Sequence, residues 1–244
     1  MKHCIQQLET ETFFAQREWT AEGIPVLCAE ISLPRPIAPD NRISRRIHRF
    51  YQLQGHSYLR YCEHWLAPKA AADCRQALMD STPLPQYTAR LTCHITCNEA
   101  GIFSLYTDTQ EFTGGPTLML RRSDTWDLRT GYPLPVSAFF PKQARIRSLL
   151  LQTAAAEIRR QEEAGTAAYA PSWPQTMKRT FNRNHFYITP DAFCFFWQMY
   201  AIAPSTEGFP TFSIPFRENI CLSPFLFGKQ YQAPDPAPDT SIDG

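Results

Sequence analysis

Apolar and polar positions change period several times along this chain, and each change marks an element. Thr10 to Ala15 is rich in β-branched and aromatic residues and predicts a strand. Ile24 to Leu33 is a mostly apolar run closed by Pro34-Arg35-Pro36; it predicts a strand that is central or covered on both faces. From Ile43 the period becomes helical. Ile43, Ile47, Phe50, Tyr51, Tyr58, Tyr61, Cys62 and Trp65 form one stripe, and Arg45, Arg46, Arg49, Arg60 and Glu63 fall mostly off it. This predicts a long helix over 40–66 with Asp40 as its N-cap. Gly55 weakens its middle by ~1 kcal/mol relative to Ala. Pro68 permits a kink or restart before helical residues resume at Ala70 to Met79, and Ser81-Thr82-Pro83 ends the run.

A period of two follows. From Gln86 to Asn98, residues Tyr87, Ala89, Leu91, Cys93, Ile95 and Cys97 take one face. Thr88, Arg90, Thr92, His94 and Thr96 take the other. After a turn at Glu99-Ala100-Gly101, Ile102 to Thr109 predicts an antiparallel partner. After Gly114-Gly115-Pro116, Thr117 to Leu128 completes a meander closed by Arg129-Thr130-Gly131. Helical spacing returns from Lys142 to Glu163, with Gly165 as its stop. Trp173 to Phe181 reads as a short helix. Phe186 to Ile188, Ala192 to Gln198, Tyr200 to Ile202 and Thr211 to Ile214 read as short strands. Residues 228–244 lack an apolar period and are expected to be disordered. The order strands, helix, strands, helix, strands predicts an α+β fold of antiparallel sheets with helices packed on one face. Two closely packed subdomains are expected, an N-terminal β–α portion over 1–105 and an α+β portion over 106–227.

Composition narrows the function. The 244 residues, 43% of them hydrophobic, suffice for a sizeable core. Ten glycines against 21 prolines argue against a glycine-rich phosphate cradle. Lys plus Arg number 24 and Asp plus Glu 23, with no basic run beyond Arg45-Arg46, so no nucleic-acid partner is expected. No apolar stretch approaches the ~20 residues that span a bilayer. Met1-Lys2-His3-Cys4 leads into polar residues rather than a signal sequence. A cytoplasmic location is expected if Met1 is the native start, and an extracytoplasmic one if a leader was removed. The eight cysteines are scattered without a C-x-x-C pair and read as buried free thiols. Cys93 and Cys97, four apart on a strand, lie about 13 Å from one another, too far for one ion bound at ~2.3 Å per thiolate.

The polar residues form no recognisable catalytic pattern. Ser57 beside His56, and His64 beside Glu63, are helix neighbours that point about 100° apart. His185 reads as a strand-edge residue. Asp108, Glu111, Asp124 and Asp127 lie along the meander, where alternation predicts solvated surface. A pair at about 5–10 Å would suit glycoside hydrolysis. A cell-wall or polysaccharide hydrolase therefore stands as the alternative reading. No catalytic residue, metal ligand or cofactor is assigned.

Two stretches carry a family resemblance. Phe112-Thr113-Gly114-Gly115, followed by a strand ending Trp126-Asp127-Leu128-Arg129-Thr130-Gly131, is one. The other joins Phe186-Tyr187-Ile188-Thr189-Pro190-Asp191-Ala192-Phe193, Tyr200-Ala201-Ile202-Ala203-Pro204 and Gly208-Phe209-Pro210-Thr211-Phe212-Ser213-Ile214-Pro215. In order and spacing they resemble the RsiV-like domain family, found in the extracellular part of anti-sigma factors. Asn41 and Ile43 resemble the start of its companion N-terminal domain. Pro116-Thr117 stands where the family carries Ala-His. The resemblance implies a non-enzymatic binding module for a protein, lysozyme-like, or for a cell-wall glycan. Likeness of that domain to a subdomain of actin and heat-shock-70 ATPases raises nucleotide binding on fold alone. The candidate ligand-binding residues are Phe112, Thr113, Gly114 and Gly115 in one loop, Glu207 in the 203–210 loop, and the aromatics Trp126 and Tyr200. Gly114-Gly115 also reads as a bend requiring positive φ.

Overall fold

The computed structural model describes residues 7–37, 41–216 and 221. The expected N-cap Asp40 and the 228–244 tail lie outside the described residues. Strands β1 (Thr10–Ala21) and β2 (Ile24–Pro36) form an antiparallel hairpin that runs longer than their apolar patterns. The chain then enters α1 (Arg42–Tyr61), and Asn41 is the N-cap: its side chain accepts the Ile43 N–H at 2.8 Å.

A widened turn, Cys62–Leu66, joins α1 to α2 (Ala67–Asp80) without a break in the helical path. Pro68 has no N–H to donate, so the four-residue ladder is lost there; a five-residue bond from Ala67 N–H to the Cys62 carbonyl takes its place. The helical run therefore passes through a π turn at the point where Pro68 permitted a kink.

Strands β3 (Tyr87–Glu99), β4 (Ile102–Phe112), β5 (Leu118–Asp127) and β6 (Tyr132–Pro133) complete a six-stranded sheet in the order β1-β2-β3-β4-β5-β6. The sheet is mixed rather than wholly antiparallel, because β2 and β3 pair in parallel. The α1–α2 crossover carries the chain from the end where β2 finishes back to the end where β2 begins, which a short turn cannot do. The rest of the chain forms α3 (Ile146–Ala164), α4 (Trp173–Arg179) and a three-stranded antiparallel sheet of β7 (Phe186–Ile188), β8 (Ala192–Phe196) and β9 (Thr211–Pro215). Gly165 closes α3 in the left-handed region as expected.

Two cores result. The first joins Leu27, Ala29, Ile31 and Leu33 of β2, Ile47 and Tyr51 of α1, and Leu91, Phe103 and Leu105 of the sheet. The second joins Leu150, Ala154 and Ile158 of α3 to Phe193, Phe195, Trp197 and Phe212. Strand β4 belongs to both, with Phe103 and Leu105 in the first and Ile102 in the second. It runs through residue 105 without interruption. The small sheet is tied to β4–β5 through buried hydroxyls: Ser104 Oγ accepts the Ile188 N–H at 3.0 Å and lies 2.8 Å from Thr125 Oγ1.

Two local expectations change. A bulge between Ile95 and Cys97 breaks the alternation of β3, leaving Ile95 45% exposed while Cys97 enters the second core. Tyr200 to Ile202 is a turn and not a strand, with Tyr200 at φ 63°.

Candidate functional site

Alternation along β3, β4 and β5 sorts their side chains onto two faces. One carries Leu105 opposite Asp124, Thr107 opposite Arg122 and Glu111 opposite Leu118. It meets α1, where Gln54 Nε2 donates to Thr107 Oγ1 at 3.1 Å and Tyr61 donates to Glu111 at 3.0 Å. The other face turns away from α1 and α2. It runs from Phe14, Gln16 and Glu18 of β1 through Cys28, Glu30 and Ser32 of β2 to Thr88, Arg90, Thr92 and His94 of β3. Tyr106, Asp108, Gln110 and Phe112 of β4 continue it. Most of these side chains are exposed or half-buried, and an Arg90–Glu30 ion pair at 2.9 Å crosses the surface.

At the β4–β5 end of this open face the small sheet rises as a wall. Rings stack along the corner. His94 lies on Tyr106 with centroids 4.9 Å apart, Tyr106 meets Tyr187 at 5.1 Å, Tyr187 meets Phe196 at 6.4 Å, and Phe196 stacks on His185 at 5.0 Å. Arg121 is the hub. Its guanidinium sits 3.8 Å from the Tyr106 ring centroid and 4.3 Å from that of Phe209. It donates to both oxygens of Asp108 at 2.8 and 2.7 Å. The Gln198 amide accepts the Arg121 N–H at 3.0 Å and donates to its carbonyl at 2.7 Å, standing in for a neighbouring strand on the exposed edge of β5. Burial lowers the pKa of His185 and pushes the Tyr187 phenol up to about 12, so both rings are neutral near pH 7. The corner thus offers flat ring faces beside a fixed ion pair, over a floor of threonine, glutamine and arginine side chains.

The sequence-predicted residues fall unevenly about this surface. Phe112 stands on the open face, 38% exposed, and the Thr113-Gly114-Gly115 loop follows with Gly114 at φ +85°, as a bend between strands requires. The 203–210 loop sends Phe209 onto Arg121. Along β5, Arg121 is about 13 Å from Thr117, where the other loop ends. Tyr200 is 52% exposed, two residues beyond Gln198. Glu207 accepts the Ala168 N–H, just beyond α3, at 3.0 Å. Trp126 is 3% exposed and sits on the α1 side, because its strand position alternates away from the open face. There its indole N–H donates to the Tyr51 hydroxyl at 2.9 Å, and its ring meets Phe50 at 5.1 Å. Arg121, Tyr106 and Tyr187 were not singled out by the sequence, Asp108 only as one of the meander carboxylates, and His94 only as a residue on the polar face of its strand. Their alternation was legible, but their convergence depends on how the small sheet docks.

The meander carboxylates are not the solvated surface that alternation suggested. Asp108 and Asp127 are 7% and 1% exposed and paired with Arg121 and Arg129. Asp124 faces α1, 3.4 Å from the Tyr51 hydroxyl; burial pushes its carboxyl up to about 6, against the opposing pull of that hydroxyl and of Arg122. No two of the four converge. Asp124 and Asp127 point to opposite faces, as do Asp108 and Glu111. Glu111 and Asp124 share a face but are about 20 Å apart along the strands, and so are Asp108 and Asp127 on the other. Cys93 packs toward the first core and Cys97 in the second. Among the described residues, no three of His, Cys, Asp and Glu are grouped to hold a metal ion, and no helix is long and apolar enough to cross a membrane.

These features define an α+β protein whose large sheet presents an open, ring-edged face. Residues 137–217, which hold α3, α4 and the small sheet, match the model of a family described as a protein of unknown function, DUF3298. The same architecture occurs in a crystal structure of a DUF3298 family member from Bacteroides fragilis, with TM-score 0.69 and 17% identity over 92% of this chain and 97% of that one. A DUF3298 family protein from Pseudomonas aeruginosa aligns with TM-score 0.56 and 18% identity over 92% and 98% of the two chains. The likeness is one of fold. None of the curated proteins matches this chain.

Proposed function

We propose that this protein is a non-enzymatic binding module of RsiV-like type, which holds a protein or a cell-wall glycan on the open face of its large sheet. The observation that carries the reading is the ring-lined corner of His94, Tyr106 and Tyr187 around the Arg121–Asp108 pair. Aromatic rings and arginine are the residues that most often carry binding energy at protein interfaces, and a flat ring face also suits the apolar face of a sugar. The Phe112–Thr117 loop and the Phe209 loop border the same surface.

The test uses two probes, hen-egg lysozyme and chitooligosaccharides, measured by titration calorimetry. One of them is expected to bind saturably. His94→Ala and Tyr187→Ala are expected to weaken it at least tenfold while leaving Tm within a few degrees. Absence of binding to either probe, or binding untouched by both substitutions, overturns the proposal.

The hydrolase reading draws only on the raised pKa of Asp124. It requires a second acid converging with Asp124 within about 10 Å; Asp108 and Asp127 point to the other face, and Glu111 is about 20 Å away along the strands. Turnover of peptidoglycan that disappears in Asp124→Asn is the result that would favour it.

A further inference from the structure

On the opposite side of the large sheet, away from the open face, a slot of about 190 Å³ lies between α1 and the β1–β2 hairpin. Phe13, Ile31, Leu33, Tyr51 and Leu59 make its walls apolar. Gly55 explains how the slot is built. It sits buried in the interior of α1, and a Cβ there would stand 3.1 Å from Leu33 Cδ1. Helix-interior glycine is unfavourable relative to alanine. Here it lets the helix approach β2 while adding no side chain to the space.

A second compartment of about 210 Å³ adjoins the slot, and Arg35 and His48 line both. This vestibule is charged. Arg35 shares one oxygen of Glu11 at 2.6 Å, which accounts for one cation. Arg45, also in the lining, is exposed and has no ion pair among the described residues. Glu11 is the one acid among the described lining residues.

We propose that the two compartments together bind a small amphipathic carboxylic acid. Its alkyl or aryl body fills the apolar slot, and its carboxylate lies in the vestibule between Arg35, Arg45 and His48. The slot is somewhat larger than a cavity of roughly 150 Å³ that holds a benzene ring, so it takes a chain of about six to eight carbons. Each methylene it buries tightens binding about fourfold. The excess positive charge at the mouth selects an anionic head over a neutral one. The inference concerns a different surface from the binding face proposed above and does not depend on it.

The experiment titrates the full chain with sodium butanoate, hexanoate, octanoate and decanoate, and with 1-octanol as the uncharged control. Affinity is expected to rise about fourfold per methylene up to octanoate and then level off, with 1-octanol at least tenfold weaker than octanoate. Arg45→Glu is expected to weaken octanoate at least tenfold with ligand-free Tm unchanged, because Arg45 is exposed. Phe13→Ser, at a partly exposed wall position of the edge strand, is expected to weaken octanoate and decanoate more than butanoate. A flat chain-length series, equal binding of octanoate and 1-octanol, or wild-type octanoate affinity in Arg45→Glu each overturn the proposal.

Discussion

Replacing Asp124 by asparagine is expected to stabilise the protein at neutral pH and to do nothing in acid. Burial against α1 pushes this carboxyl from 3.8 to about 6. At about 1.4 kcal/mol per pH unit, the folded state carries a penalty of roughly 3 kcal/mol once the group ionises. The sign follows from the direction. A carboxyl that holds its proton more tightly when folded contributes stability that is fully present below pH ~4. That contribution is lost as pH rises through about 6. Asparagine keeps an oxygen to accept the Tyr51 hydroxyl and never ionises. Because Asp124 retains some solvent contact, screening brings the expected gain to about 1–3 kcal/mol at pH 7.5. Urea unfolding of both proteins at pH 4, 5, 6 and 7.5 reads the effect as a gap between midpoints that opens only as pH rises; groups that titrate alike in both proteins cancel. A variant less stable than wild type at pH 7.5, or a gap independent of pH, refutes the reasoning. Either result would mean that the ionised form is held by Tyr51 and Arg122.

Three further outcomes are expected. Asp108→Ala strands Arg121 in a largely buried place, since the pair's side chains are 13% and 10% exposed; it should cost about 3–5 kcal/mol, and the double variant Asp108→Leu with Arg121→Met should recover at least half, as a double-mutant cycle in urea would show. Gly131→Ala puts a Cβ at φ +72° only 3.3 Å from the Ile43 side chain; the strain and the clash together should cost about 2 kcal/mol or more and lower the thermal midpoint. Burial pushes the thiols of Cys62, Cys93, Cys97 and Cys221 up to about 12 and that of Cys194 to about 11; mass spectrometry after iodoacetamide at pH 7.5 should find them unmodified in the native protein and fully modified in guanidinium.

Sequence alone determined most of the elements, because hydrophobic periodicity is a local property. Phe186–Ile188 has the expected bounds, the Ile146–Ala164 helix stops at Gly165, and the β3–β4–β5 meander pairs as its alternation requires. Period also separated the two faces of β3, while Phe112, read as a loop residue, proved to end β4 on the open face. Only the tertiary structure decided the rest. Whether β2 and β3 run parallel depends on the end of the sheet to which α1 and α2 return the chain. Whether Trp126 meets solvent depends on where α1 lies. Arg121 and Asp108 look like any exposed pair on a polar face until the small sheet buries them beside Tyr187 and Phe209. Residues far apart in the chain meet there, and no window of neighbouring residues contains the contact that gives them their meaning.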